Sequence, residues 1–175
     1  RLLALWLLSH FTFYNHDEIV HLCKIAYLEL VHTVLAKGNS NVEASKRIER
    51  FFKRSQIISP EQVGGSGGFI AYFFRQINDL PHENFGTTLD EACAKSDNII
   101  VIDDVTLTEG NAGQMFRFWK RCKEKHPTKK FFLVTLIAYN KALEILENDF
   151  KVNTIAAIKL DARDKCFWTE SDLFS

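Results

Sequence analysis

The sequence predicts a three-layer α/β fold with a mostly parallel sheet and a helical N-terminal cap. Three observations indicate this fold. Apolar residues recur every three or four positions over residues 16–36, which is the spacing of a helix face. The run at 98–103, NIIVID, has apolar residues on both faces, as in a central parallel strand. Strand-like and helix-like segments then alternate with short connections, which favours helices on both faces of one sheet.

The composition is that of an ordinary globular protein. The 175 residues include 22 basic and 22 acidic side chains, so the net charge gives no argument for a nucleic acid or a membrane as partner. Four cysteines lie apart without Cys-x-x-Cys spacing, which is typical of reduced thiols in the cytoplasm. The apolar run 2–8 is shorter than the roughly 20 residues of a transmembrane helix, so we expect it to pack within the protein.

Two regions are predicted within one compact unit: a helical cap over residues 1–54 and an α/β core over residues 55–175. Asn15 is the expected N-cap of the helix over 16–36, and two acidic residues follow it in the first turn, where the helix dipole favours negative charge. Because the chain begins with Arg1 instead of methionine, we expect residues before it to be missing.

A second cap helix is predicted over residues 42–54, and five basic side chains share its polar face. These are Lys46, Arg47, Arg50, Lys53 and Arg54. One interpretation is that these side chains contact phosphate groups, and residues 46–54 would then be the only segment expected to bind a nucleic acid. The alternative is a solvated surface whose charge is balanced by Glu43 and Glu49.

The core alternates strands with helices. Strands are expected over 55–59, 98–103, 129–139 and 154–160, with a further edge strand over 166–174. Helices are expected over 69–78, 89–96, 112–125 and 140–150. Since parallel α/β sheets bind ligands at the carboxyl ends of their strands, the residues that end the strand over 98–103 are the first candidates for a site.

Two adjacent carboxylates, Asp103 and Asp104, end this strand, and a loop of small residues then leads into a helix. Such a pair can accept hydrogen bonds from the hydroxyls of a sugar or hold a divalent metal through water. The free backbone N–H groups of the following helix N-terminus can bind phosphate. The combination predicts a site for a ribose 5-phosphate; the alternative is that the two aspartates only cap the strand end.

The run IIVIDDVTLTEGN resembles the ribose-phosphate-binding signature of type I phosphoribosyltransferases. The resemblance implies that Asp103 and Asp104 bind the ribose hydroxyls of phosphoribosyl pyrophosphate, with Mg²⁺ as the suspected metal at the same two residues. It implies that the 5-phosphate is bound by Thr106, Thr108, Gly110 and Asn111. The segment GGSGG precedes a helix where that family has its pyrophosphate loop, which assigns ligand binding to Gly65, Ser66, Gly67 and Gly68.

Over about residues 13–140 the layout is similar to a bacterial subgroup, the phosphoribosyltransferase-like effector domains of conflict and anti-phage systems, including retron-associated ones. The shared features are the helical lead-in, the SG loop, the helix ending near FRQIN-LP and the paired aspartates. This resemblance implies an antiviral or toxin effector that binds a ribose phosphate or nucleotide, with a protein partner in a multi-component defence complex. Such an effector would transfer or hydrolyse a group at ribose C1. The alternative is a catalytically silent module that binds a nucleotide or a partner and regulates a larger assembly.

Two positions depart from the signature. Glu109 stands where the family has a glycine, and Leu107 stands where purine-salvage members have an acidic general base. Purine salvage is therefore not expected. Glu109 is the candidate acid–base group of the loop, beside the catalytic candidates Asp103 and Asp104.

The glycine segment also satisfies G-x-S-x-G, the nucleophile elbow of serine hydrolases. That reading needs a strand directly before Ser66, and a triad histidine after the acid, which only His126 could provide. No Lys-Ser/Thr follows the glycines, so a Walker loop is excluded. A plain flexible connection is the remaining alternative for this segment.

Overall fold

The computed structural model describes residues 14–36, 43–59, 67–86, 88–106 and 111–164, without the side chains of residues 111–115. The helices are α1 (His16–Ala36), α2 (Ala44–Lys53), α3 (Gly67–Ile77), α4 (Leu89–Lys95), α5 (Asn111–Lys125) and α6 (Asn140–Phe150). The strands are β1 (Ser55–Ile58), β2 (Asn98–Thr106), β3 (Lys130–Tyr139) and β4 (Asn153–Leu160). Single turns of 3₁₀ helix lie at His82–Asn84 and Ala162–Asp164.

The four strands form one sheet in the order β1-β2-β3-β4, and every neighbouring pair is parallel. Helices cover both faces, so the predicted three-layer α/β fold with a helical lead-in is confirmed. β2 and β3 each have a strand on both sides, which explains why their sequences are almost continuously apolar.

Alternate residues of the strands enter two separate hydrophobic clusters. Ile100 and Ile102 of β2 pack with α1, α2 and α3 on one face, which we call the first face. Ile99 and Val101 pack with α4, α5 and α6 on the opposite, second face. The period of two in a strand thus divides one apolar run between two layers.

The start of α1 is fixed by a reciprocal cap. The backbone N–H of Glu18 donates to Asn15 Oδ1 at 3.0 Å, and the N–H of Asn15 donates to Glu18 Oε2 at 2.7 Å. This arrangement satisfies two N–H groups that the helix leaves open, and it confirms Asn15 as the N-cap.

Among the described residues, α1 is the one helix whose length and composition would allow it to cross a membrane, with a mean hydropathy of 1.5 over an 18-residue window. It packs on α3, β3 and β4. The buried residues on its inner side are Leu22, Cys23, Ala26 and Leu30. A helix in the core of a globular domain can be as apolar as a membrane-spanning one. Packing against the sheet buries these four side chains within the fold.

The segment after α3 closes the outer edge of β1. Phe85 forms a parallel bridge with Ile57, and the N–H of Gly86 donates to the Ile57 carbonyl at 2.9 Å. The buried amide of Asn84 donates to the carbonyls of Phe52 and Ser55 at 2.6 and 3.0 Å. The backbone polar groups of this edge are therefore largely satisfied.

Most predicted elements agree with the observed ones within two residues, and the helix over 140–150 agrees at both ends. The main difference is that β2 continues to Thr106, because Val105 and Thr106 still pair with Ile137 and Ala138 of β3. The apolar run 2–8 and the expected edge strand over 166–174 lie outside the described residues.

Candidate active site

The connections after β1 and β2 diverge to opposite faces of the sheet. β1 leads to α3, which packs on the first face, while β2 leads to α5, which packs on the second face. Two adjacent parallel strands whose connections separate in this way leave a crevice at their carboxyl ends, and α/β proteins bind ligands in such crevices. Asp103 and Asp104 lie at this edge, beyond the residue pair Ile58–Val101 where the pairing with β1 ends.

The two carboxyl groups are held by the backbone of the same strand. The N–H of Asp104 donates to Asp103 Oδ1 at 3.0 Å, and the N–H of Val105 donates to Asp104 Oδ1 at 2.8 Å. Both aspartates are half-buried. The pair therefore presents its remaining oxygens in a fixed arrangement, as sugar or metal recognition requires.

Burial raises the pKa of Asp103 from 3.8 to about 7, and the neighbouring Asp104 adds to the rise through its charge and a hydrogen bond between the two side chains. A carboxylate in this setting is unstable as an anion until a cation or a hydroxyl donor arrives. The strongly shifted pKa at the mouth of a crevice is a feature of functional sites.

Thr135 on β3 contacts this part of β2 and was not a candidate from the sequence. Its hydroxyl lies 3.1 Å from the carbonyl oxygen of Asp104 and 3.1 Å from that of Ile137. The side chain is fully buried beside Asp103, its partner in the strand register. A threonine inside an otherwise apolar strand is only a weak sequence signal of a functional position. Its contact with Asp104 depends on the register of β3 with β2, which the sequence does not show.

The phosphate-loop candidates are only partly described. Thr106 is buried at the end of β2, and its hydroxyl has no hydrogen-bond partner within the residues that the structure describes. Asn111 begins α5, without a described side chain. Residues 107–110, which include Thr108, Glu109 and Gly110, lie outside the described residues. A link of four residues therefore joins the acidic strand to the N-terminus of a 15-residue helix.

The glycine segment leads into the N-terminus of α3, on the other side of the crevice. Gly67 is the first residue of α3 and is buried, whereas Gly68 is exposed. A Cβ at Gly68 would meet Ser59 Oγ at 3.9 Å, an ordinary contact, so α3 begins beside the end of β1. Gly65 and Ser66 lie outside the described residues.

The hydrolase reading fails on the position of His126. Its Nε2 lies 3.0 Å from Asp90 Oδ1, at the amino edge of the sheet where the N–H of Lys130 donates to the Asp97 carbonyl. Asp103 is further along β2 from Asp97 by about 20 Å, at roughly 3.3 Å per residue. His126 therefore cannot form a triad with either aspartate of the pair.

The basic side chains of α2 and its C-cap are mostly engaged within the protein. Lys46 pairs with Glu43 at 3.4 Å, Lys53 with Glu49 at 2.7 Å, and Arg54 with Asp97. Arg47 donates to the last carbonyls of α1. The arrangement favours the solvated, balanced surface over a phosphate-binding one.

An aromatic surface lies on the outer side of α3, and we define it as Phe69, Tyr72 and Arg75. Phe69 is 59% exposed and Tyr72 is 53% exposed, and the guanidinium carbon of Arg75 lies 5.6 Å from the Tyr72 ring centre. Arg75 itself is half-buried. Exposed aromatic rings beside an arginine are typical of protein interfaces.

In the comparison with known proteins, the family model PRTase-CE matches the whole chain, residues 1–175. No curated protein matches. A crystal structure of a hypothetical protein from Neisseria gonorrhoeae with bound ppGpp is similar, with a TM-score of 0.49 and 17% sequence identity over 89% of this chain and 84% of that one. A similarity of this size carries no argument about ligand or function.

Proposed function

This chain belongs to the PRTase-CE family of phosphoribosyltransferase-like effector domains, and we propose that it binds a ribose phosphate or nucleotide in the crevice between β1 and β2. The observation that supports this most is that α3 and α5, which follow β1 and β2, pack on opposite faces of the sheet, while Asp103 and Asp104 lie just beyond the end of the β1–β2 pairing. This divergence supports a site in which the paired carboxylate is flanked by two helix N-termini, which is the chemistry that a sugar with phosphates at both ends needs.

In this proposal the acidic pair recognises the ribose. The 2- and 3-hydroxyls of the sugar donate hydrogen bonds to the carboxylates of Asp103 and Asp104. Charge-assisted hydrogen bonds of this kind are about twice as strong as neutral ones. Because burial and Asp104 raise the pKa of Asp103 to about 7, binding of two donors or of a cation would favour the ionised form again.

The phosphate groups are assigned to the two helix N-termini. The 5-phosphate is received by the loop after β2, through Thr106, Thr108, Gly110 and Asn111. The pyrophosphate, or the second phosphate of a nucleotide, is received by the segment before α3, through Gly65, Ser66, Gly67 and Gly68. The free N–H groups and positive dipole ends of α5 and α3 support this assignment.

Mg²⁺ fits the residues that are present. Within the described part of the chain no three His, Cys, Asp or Glu side chains form a group that could hold a metal alone. Magnesium is usually bound through one or two carboxylates together with water and substrate phosphates, so Asp103 and Asp104 would hold it jointly with the ligand. The metal would neutralise the phosphate charge.

The reaction that we propose is substitution at ribose C1. The bond from C1 to the leaving oxygen or base nitrogen breaks, with its electron pair on the leaving group. A bond from C1 to an acceptor or to water forms. Glu109 takes the proton of the attacking group, a role that Leu107 cannot have. We propose further that this activity serves an antiviral or toxin effector, which acts in the cytoplasm as part of a multi-component assembly.

The decisive experiment is isothermal titration of Mg²⁺ with phosphoribosyl pyrophosphate into the wild type and the double variant Asp103→Asn with Asp104→Asn. We expect the double variant to lose at least a hundredfold in affinity while its circular dichroism spectrum is unchanged. Asp97→Asn, at the opposite edge of the sheet, is the matched control and should bind as the wild type. Equal affinity of the double variant and the wild type would overturn the ribose assignment.

The second candidate function is a catalytically silent module that binds a nucleotide or a protein partner and regulates a larger assembly. The aromatic surface on α3 favours it, because Phe69 and Tyr72 expose large rings to solvent. Turnover distinguishes the two functions. Release of pyrophosphate or free base with Mg²⁺ supports the enzyme, while tight binding without any release over hours supports the module.

A further inference from the structure

The strand around Asp103 and Asp104 departs from regular pairing, and both carboxyl groups turn back to the backbone of their own strand. Successive side chains of a strand point to opposite faces. Here each carboxyl group accepts from the backbone N–H of the next residue: Asp103 Oδ1 from Asp104 at 3.0 Å, and Asp104 Oδ1 from Val105 at 2.8 Å. The register of β2 with β3 passes from Asp103–Thr135 to Val105–Ile137 without a pair at Asp104 and Leu136. The acidic pair therefore coincides with a local departure from strand geometry.

The same departure is present on the other side of β3. The register of β3 with β4 passes from Thr135–Ala156 to Ile137–Ile158 and omits Leu136. The hydroxyl of Thr135 lies where the two ladders are interrupted, 3.1 Å from the Asp104 carbonyl and 3.1 Å from the Ile137 carbonyl. It has one hydrogen, which these two acceptors share.

The peptide groups around Asp104 are thus held from both directions. Its N–H donates to the carboxylate of Asp103, and its carbonyl accepts from the hydroxyl of Thr135. Without that hydroxyl the carbonyl of half-buried Asp104 loses a donor on the side of the fully buried Thr135 side chain. The carbonyl would then rotate towards another donor, and the Asp104 side chain would turn with it.

We propose that Thr135 is a positioning residue, whose hydroxyl fixes the backbone of Asp104 and so keeps the two ligand-binding carboxylates together. This inference rests on the proposed function, because it explains how β3 prepares the ribose and Mg²⁺ site on β2. Thr135 itself does not touch the ligand.

Two comparisons isolate the effect of the hydroxyl. The wild type and Thr135→Val have side chains of the same shape, and only the wild type has the hydroxyl. Thr135→Ser and Thr135→Ala both lack the methyl group, and only the serine form has the hydroxyl. We expect the affinity for phosphoribosyl pyrophosphate with Mg²⁺, measured by isothermal titration, to fall about five- to tenfold in the valine and alanine forms, the effect of one hydrogen bond. The serine form should stay within about twofold of the wild type.

Ser55→Ala is the matched control. Ser55 is equally buried, and its hydroxyl also donates to a backbone carbonyl, that of Phe51, but at the amino edge of the sheet. It should lower the melting temperature without changing the affinity. If Thr135→Val behaves in the same way, with lower stability and wild-type affinity, the inference is overturned and Thr135 is structural only.

The remaining outcomes are equally decisive. Should the valine form fail to fold, the serine and alanine forms decide, and equal affinity of these two would overturn the inference. The double aspartate variant is titrated in parallel. If it loses binding while Thr135→Val keeps it, only the inference fails; if it binds as the wild type, the proposed function fails as well.

Discussion

At the scale of single residues, Asp103 opposes the stability of the fold. Its pKa is about 7 in the folded protein and near 3.8 in an unfolded chain, because the folded environment disfavours the anion. The folded protein therefore binds this proton more tightly, and the contribution of Asp103 to stability falls as the pH rises from about 4 to about 7. Under the proposed function this is the conflict expected between a ligand-binding group and the fold around it.

Asp103→Asn should stabilise the ligand-free protein at pH 8 and leave it nearly unchanged at pH 4. The amide cannot ionise, and its oxygen can still accept from the N–H of Asp104. The gain at pH 8 is up to roughly 4 kcal/mol, at about 1.4 kcal/mol for each factor of ten in the proton affinity. Urea unfolding followed by circular dichroism, at several pH values without Mg²⁺, measures it.

Asp97→Asn should do the opposite. Arg54, through a hydrogen bond and its charge, holds the pKa of Asp97 below its usual range. The stability that Asp97 contributes is therefore present above about pH 4 and is lost as the pH falls through the lower folded pKa. A gain for Asp103→Asn that persists at pH 4, or a gain for Asp97→Asn at pH 8, would contradict this account.

At the scale of elements, the N-terminus of α3 separates folding from binding. Gly68→Ala should keep or slightly raise the melting temperature, because the new Cβ meets only Ser59 Oγ at 3.9 Å and alanine is the better helix former. The affinity for phosphoribosyl pyrophosphate should nevertheless fall severalfold, because the methyl group obstructs close approach to the helix N–H groups. Differential scanning calorimetry and isothermal titration measure the two effects.

Gly86→Ala is the contrasting control. Its Cβ would lie 3.3 Å from Gln56 Oε1 and 3.3 Å from Ile58 Cγ2 in the packed edge of β1. It should lower stability without a specific effect on the ligand. If Gly68→Ala binds the ligand as tightly as the wild type, phosphate does not approach α3.

The elements that the sequence predicted best are those with local signals. The start of α1 follows from Asn15 and Glu18, and β2 follows from an apolar run that only a central strand tolerates. The position of Asp103 and Asp104 at the carboxyl end of a central strand was predicted, but the faces on which α3 and α5 pack are decided by tertiary contacts and could not be predicted. The role of Thr135 could not be predicted for the same reason, because one of the two acceptors of its hydroxyl, the Asp104 carbonyl, is 31 residues away in the chain.

At the scale of the whole molecule, the layers decide what a side chain of α3 contributes. Phe74→Ala should cost about 3–5 kcal/mol, because Phe74 is fully buried on the first face and its removal leaves a cavity. Phe69→Ala and Tyr72→Ala should each change stability by less than about 1 kcal/mol, since both rings are exposed. Urea unfolding of the three single variants tests this.

The three variants remove aromatic rings of similar size from the same helix. They differ in whether the ring is buried against the sheet, as in Phe74, or exposed, as in Phe69 and Tyr72. A cost for Phe69→Ala or Tyr72→Ala close to that of Phe74→Ala would mean that the aromatic surface is covered within the chain itself. A partner-binding role for this surface would then be unnecessary.

The strand order has a consequence for how the protein is made. Each strand of β1-β2-β3-β4 lies beside the one synthesised before it, so the sheet can grow in the direction of translation without waiting for a distant partner. When β2 has emerged from the ribosome and β3 has not, the nascent chain contains both aspartates but lacks the Thr135 hydroxyl that donates to the Asp104 carbonyl. If Thr135 positions Asp104 as we propose, the pair acquires its final geometry only when β3 is added, and the proposed ligand site stays unfinished on the ribosome until that strand has folded into the sheet.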